Sequence, residues 1–145
     1  LRRAALNLLA RREHSFYELK HKLHVKFPRF KTEVIHDTVH ALRVENLQND
    51  ERFVESYSRY RKGLGFGYRH IRYALKSKKV ENDQVDRHLV SDDAEWIELA
   101  INVIRKKRGV RNSVKMNSLE RSKITRFMES RGFSFSQIHQ AIDLL

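Results

Sequence analysis

The chain has 145 residues, with 30 Lys and Arg against 18 Asp and Glu and a formal net charge of +12. That length suits one or two compact domains, and that charge favours a polyanionic partner: nucleic acid, an acidic protein surface or anionic lipid. Cysteine is absent, which excludes disulfides, thiolate zinc sites and thiol catalysis and suits a reducing cytoplasm.

An apolar fraction of 40%, with eight Phe and five Tyr, provides for a core and separates the chain from a disordered basic tail. No apolar run approaches the roughly 20 residues of a membrane span, so no membrane partner is expected. The first residue is Leu1 rather than Met, which predicts a missing leader or short N-terminal segment.

Apolar residues recur at intervals of three and four, with a single proline at Pro28, and this predicts helix almost throughout. Leu1, Ala5 and Leu8 mark the first helix. Ser15-Phe16-Tyr17-Glu18 has the form of a capping box and opens a helix carrying Leu19 and Leu23. Beyond Pro28, Ile35 and Val39 mark the next. Phe53, Tyr57 and Tyr60 begin the middle third and lead to Gly63, Gly65 and Gly67. No strand precedes these glycines and no Lys-Ser/Thr pair follows, so they read as permissive backbone between helices rather than a nucleotide-binding loop.

Ile71, Leu75, Val80, Val85 and Leu89 then follow at intervals of 4, 5, 5 and 4. Asp92, Asp93 and Glu95 open a helix that ends at Arg105-Lys106-Lys107-Arg108-Gly109, with acid at its start, base at its end and a glycine in position for an αL cap. Ile124, Met128, Phe133, Ile138 and Ile142 repeat the 4, 5, 5, 4 spacing, and Ser134-Phe135-Ser136-Gln137 is a second capping box.

Leu19, Ile71 and Ile124 lie 52 and 53 residues apart. The first third shares the outer fours of the pattern, with its connection lengthened around Pro28. The expectation is an all-α fold of three tandem three-helix repeats, at residues 1–48, 49–91 and 92–145, stacked in an elongated or curved array. Units this small are marginal alone and gain stability by sharing surface with a neighbour.

Arg69, Arg72, Lys76 and Lys79, at intervals of 3, 4 and 3, predict a basic stripe along one helix, suited to phosphates or an acidic groove. Residues 101–135 hold ten Lys or Arg against Glu120 and Glu129. Arg105, Lys106, Lys107, Arg108, Arg111 and Lys115 flank the Gly109-to-Asn117 connection, and Arg121, Lys123 and Arg126 follow on the next helix. Helix-end cations answer the helix dipole; the excess beyond them suits phosphate contact.

His36 and His40 have the i, i+4 spacing of a zinc-protease motif. The intervening Asp37 is too short for the usual Glu role and no third ligand is evident, so no metal is expected. Trp96, Phe16, Tyr17, Phe53, Tyr57, Tyr60 and Phe127 read mostly as core rather than as platforms for bases. No Ser–His–Asp ordering or paired-carboxylate setting stands out, and the reading is a non-enzyme without cofactor.

Four stretches resemble the RecX family. Arg11-Arg12-Glu13-His14-Ser15, with Glu18-Leu19 and Lys22-Leu23, resembles its opening R-x-H-S-x-x-E-L-x-x-K-L. Leu47 to Phe53 is similar to L-x-D-x-R-F. Gly65-Phe66-Gly67-Tyr68-Arg69-His70-Ile71-Arg72, ending at Leu75, resembles G-Y-G-P-x-R-I-R-x-x-L. Lys123 to Phe133, with Phe127, Arg131 and Gly132, resembles the closing K-x-x-x-F-x-x-x-R-G-F. Tyr68 stands where the family usually has Pro, His70 where it usually has Arg, and Lys79 where Gly is usual; Arg108 precedes Gly109 where an aromatic is common. Tyr in a first helical turn and Lys in a last one predict that the fold survives.

The resemblance implies three tandem three-helix repeats in a monomer that binds the groove of the RecA–DNA filament, limits filament growth, and lowers recombinase and co-protease activity. It also implies affinity for single- and double-stranded DNA and a place in recombination, repair and the SOS response. The competing reading is a plain DNA-binding protein, sequence-nonspecific or of the helix-turn-helix kind, since a small three-helix unit can read a major groove.

Overall fold

A computed structural model describes residues 1–92 and 94–145. It is helical throughout. The elements are α1 (Arg2–Arg11), α2 (Phe16–Lys26), α3 (Thr32–Val44), α4 (Asp50–Gly63), α5 (Tyr68–Ser77), α6 (Asn82–His88), α7 (Glu95–Arg108), a 3-10 helix (Gly109–Ser113), α8 (Ser118–Ser130) and α9 (Phe135–Asp143). No strand occurs among the described residues, and no described helix is long and apolar enough to cross a membrane.

These elements form two compact units, one of Leu1–Ser58 with Ala74–His88 and the other of Arg59–Tyr73 with Leu89–Leu145. Both α4 and α5 start in one unit and end in the other, so the units cut the chain along different lines from the sequence repeat.

All fourteen residues placed on the repeated apolar faces are buried. In the first unit Ala5, Leu19, Leu23, Ile35, Val39 and Leu42 form one cluster, where α1 packs on α2 and α3 and α2 on α3. In the second unit α7 packs against α9 and α8, and Trp96, Ala100 and Ile104 are buried with Ile124, Met128, Phe133, Ile138, Ala141 and Ile142. Trp96 and Phe53 are core residues as expected, but Tyr17 and Tyr60 are exposed.

Four helix ends share one turn. A residue at positive φ follows the helix; its N–H donates three residues back, and the next N–H donates five residues back, which is the Schellman arrangement. Asn46 (φ 60), Gly65 (φ 86), Lys79 (φ 59) and Gly132 (φ 98) occupy the positive-φ position after α3, α4, α5 and α8. The Leu47, Phe66, Val80 and Phe133 amides close the longer bond onto Leu42, Arg61, Leu75 and Met128.

Two expected caps differ. Ser134 and Gln137 make the full reciprocal box. Ser15 accepts from the Glu18 amide at 3.1 Å, but the Glu18 side chain turns away to Arg12 and Lys78, so that box is half formed. Gly109 follows α7 with φ 57 and ψ −122, outside the αL well, and the chain continues into the 3-10 helix. Asp92 is exposed and precedes α7, and Asp93 lies outside the described residues.

Candidate nucleic-acid interface

The four sequence motifs meet in pairs, one pair within each unit. In the first unit the Gln48 side-chain amide donates to the His14 carbonyl at 3.1 Å and to Asp50 at 2.9 Å. Asp50 also accepts from the Phe16 amide at 2.8 Å. Glu18 is buried and accepts two hydrogen bonds from Arg12 and one from Lys78, each at 2.9 Å. Burial pushes its carboxyl upward, but the bonds from Arg12 and Lys78 overcome this and hold it at about 2.

His14 is also buried. Its Nδ1 lies 3.0 Å from the Arg12 carbonyl and its Nε2 is 3.1 Å from Lys22 Nζ, an arrangement that fits a neutral ring protonated on Nδ1. Burial, followed by the Arg12 charge, pushes its pKa down.

In the second unit the turn after α8 caps the start of α5. The Gly67 amide donates to the Arg131 carbonyl at 2.7 Å and the Arg69 amide to the Gly132 carbonyl at 3.1 Å, so two amides at the entry to α5 find partners in the turn that follows α8. The approach requires both glycines: a Cβ on Gly67 would lie 2.6 Å from the Gly132 carbonyl carbon, and one on Gly132 would lie 2.5 Å from the His70 nitrogen. The His70 ring stacks on Phe66 at 4.1 Å, with the guanidinium groups of Arg131 and Arg61 at 4.6 and 5.1 Å from the Phe66 ring. Burial and those two cations lower the His70 pKa. The ring is therefore held neutral, and position 70 carries no permanent charge. These contacts hold the backbone together, and exposed side chains of the same motifs, among them Arg69 and Lys123, contribute to the candidate ligand surface.

On α5, Arg69 and Lys76 are exposed and Arg72 is half-buried, its guanidinium 6.0 Å from the Tyr68 ring. Lys79 does not extend this helical stripe. It lies beyond Ser77 in the positive-φ position of the terminal turn, because the helix has already closed onto Leu75 and Lys76.

The second unit gathers the rest. Arg105, Lys106 and Lys107 are exposed at the end of α7, Arg111 and Lys115 on the connection, and Lys123 and Arg126 on α8. Arg108 is a correction. It is 8% exposed; its Nε donates to Glu120 at 2.8 Å and its terminal nitrogen to the Val114 carbonyl. It pins the connection to α8 instead of facing solvent, and its hydrogen bond lowers the Glu120 pKa. Arg121 is half-buried, donating to His139 Nδ1 at 2.7 Å and lying 3.7 Å from Asp143.

Lys62 and Arg131 were not among the expected contacts. With Lys106 and Lys107 they line an open groove that also contains Leu64, Leu99, Val103 and Phe127. Sequence offered only a weak signal for them, a cation in each of two helix ends far apart in the chain. Among the described residues no group of three or more His, Asp or Glu is placed to hold a metal, and His36 and His40 stack on each other at 6.2 Å.

Comparison with known proteins places this geometry among relatives. A family model described as RecX, second three-helix domain, matches residues 49–89, and one described as RecX, third three-helix domain, matches residues 93–142. The Regulatory protein RecX of Mannheimia succiniciproducens is 37% identical over 130 residues, covering 89% of this chain and 83% of the relative. That of Vibrio vulnificus is 37% identical over 139 residues, covering 95% and 88%. The crystal structure of RecX from Lactobacillus salivarius matches with a TM-score of 0.79 over 99% of this chain and 95% of that one, at 23% identity, a likeness of fold.

Proposed function

The chain belongs to the RecX family, and from that premise we propose that it modulates the RecA recombinase, chiefly as an inhibitor, by occupying the groove of the RecA–DNA filament and limiting its growth. It acts by occupancy, without turnover, as a cytoplasmic monomer of three repeats at residues 1–48, 49–91 and 92–145. Direct affinity for single- and double-stranded DNA accompanies this role.

The observation that carries the DNA reading is the state of the second unit's cations. Arg105, Lys106, Arg111, Lys115, Lys123 and Arg126 are all exposed, and none makes an ion pair among the described residues. Cations left unneutralised by the fold are available to displace counterions from a phosphate backbone. Titration of the chain into RecA-driven strand exchange, with filament length followed in parallel, tests the proposal. Falling exchange and shortening filaments are expected. Unchanged filaments would reject inhibition by occupancy, and ATP hydrolysis or DNA cleavage by the chain alone would reject the non-enzymatic mechanism.

A further inference from the structure

On one side of α8, Arg121, Ser122, Thr125 and Arg126 face Phe135 and His139 of α9 across an open groove within the second unit. Phe135 is 60% exposed, an unusual setting for a phenyl ring on a helix whose Ile138, Ala141 and Ile142 are buried. Its ring centre is 3.9 Å from that of His139 at a 54° tilt, which leaves ring surface open to solvent. Arg121 donates to His139 Nδ1, so the neutral ring carries its proton on Nε2, and that buried nitrogen has no hydrogen-bond partner. Thr125 turns its hydroxyl to the Arg121 carbonyl at 2.8 Å, while the Ser122 side chain and Arg126 are exposed. No carboxylate lines the groove.

We propose that this groove binds single-stranded nucleic acid, with an unpaired base stacked on Phe135 and the adjoining phosphate held by Arg126 and Ser122. The proposal rests on the DNA affinity argued above and assigns it a site. An exposed aromatic ring beside cations, with no carboxylate in the lining and Asp143 already paired to Arg121 at 3.7 Å, is the combination that single-strand binders use: stacking accepts any base, and the cations follow the phosphates. Phosphate contact alone would not need the ring. In a duplex the base faces are covered by their neighbours, so the ring selects unpaired strands. A peptide anchor would need an apolar pocket, and Phe135 is the single large apolar side chain in the lining.

The test is fluorescence anisotropy of the full chain with oligo-dT, with an abasic oligomer of the same length and charge, and with a duplex of that length. Wild type is expected to bind oligo-dT about tenfold more tightly than the abasic strand, in keeping with one stacked base. F135L keeps an apolar contact with His139 but removes the aromatic face; it should bind both strands alike, with unchanged helicity. R126A should weaken both and reduce the log–log salt slope by about 0.7. The groove assignment is overturned, with DNA affinity left standing, if wild type binds both strands equally, if F135L keeps the preference, or if Phe135 matters more for duplex. No DNA binding by wild type overturns both readings.

Discussion

Lys79 and Gly132 occupy the same position of the same helix-ending turn, at φ 59 and φ 98, one after α5 and the other after α8. They are separated by the same interval as Ile71 and Ile124, so the sequence repeat includes the backbone of its turns as well as its apolar faces. In both, the residue after the positive-φ position buries a side chain, Val80 or Phe133, in the manner of the Schellman motif. Only one of the two is a glycine. The Lys79 Cβ therefore works against the turn, in the left-handed region that disfavours L side chains by about 1–2 kcal/mol.

Lys79→Gly is accordingly expected to raise stability, by about 0.5–1 kcal/mol once the greater freedom of glycine in the unfolded chain is set against the relief of strain. Denaturant midpoints for the two proteins measure it; a lower midpoint for K79G would contradict the strain. The substitution removes a cation as well, so DNA affinity should fall slightly while stability rises.

Much of this fold was legible because helical periodicity reports which side of a helix is buried, and all fourteen residues of the repeated pattern are. Periodicity does not report partners. Arg105 and Arg108 stand in one run of four cations, yet one is exposed and the other buried against Glu120, a residue brought to it by the chain's return through the connection. The contact of Gly67 with Arg131 and Gly132 was hidden for the same reason. Gly67 looked merely permissive, when its missing side chain answers a backbone 65 residues away. Lys79 was misplaced because a lysine gives no sign of positive φ. Phe135 was seen only as the residue after a capping serine, since a local motif carries no information about exposure.

Stability should fall with acid over two separate pH ranges. The His14 and His70 pKa values are lowered on folding, so the unfolded chain binds more protons than the folded one below about pH 6.5. Their contribution is complete above that pH and is lost as pH falls through their folded values. Glu18, held at about 2, contributes fully above about pH 4.5 and loses that contribution only as pH falls towards 2. Stability measured from pH 7 to pH 5 should thus depend on pH less in H14Q/H70Q than in wild type, whereas E18Q should flatten the curve only below pH 4.5. A wild-type stability that is flat between pH 7 and 5 would exclude the histidine contribution.

Arg108 and its neighbours should separate stability from binding. Arg108→Ala removes the partner of Glu120 and of the Val114 carbonyl, and a lowered unfolding midpoint is expected, corresponding to about 1–3 kcal/mol. The triple substitution of Arg105, Lys106 and Arg111 to Ala alters exposed cations and should leave that midpoint nearly unchanged. It should instead lower the magnitude of the single-strand salt slope by about 2, as three lost phosphate contacts at about 0.7 each require. An undiminished slope in a folded triple variant would remove these residues from the DNA surface.

The α5 edge is the remaining candidate for contact with RecA, and charge reversal tests it more sharply than truncation. An exposed ion pair contributes roughly 0–1 kcal/mol, so loss of one cation is expected to be barely visible in strand exchange. Reversal of Arg69, Arg72 and Lys76 to Glu replaces attraction with repulsion along the helix and should abolish most inhibition. Arg72 is half-buried beside Tyr68, so the Arg69/Lys76 double reversal serves as the companion that leaves this contact in place. Ile71 and Leu75 are fully buried on another face of α5, and helicity should persist in both variants. Strand exchange, filament length and circular dichroism are to be read together. If both folded variants inhibit RecA as strongly as wild type, α5 is not the docking edge, and the cations around the α7–α8 connection become the place to look.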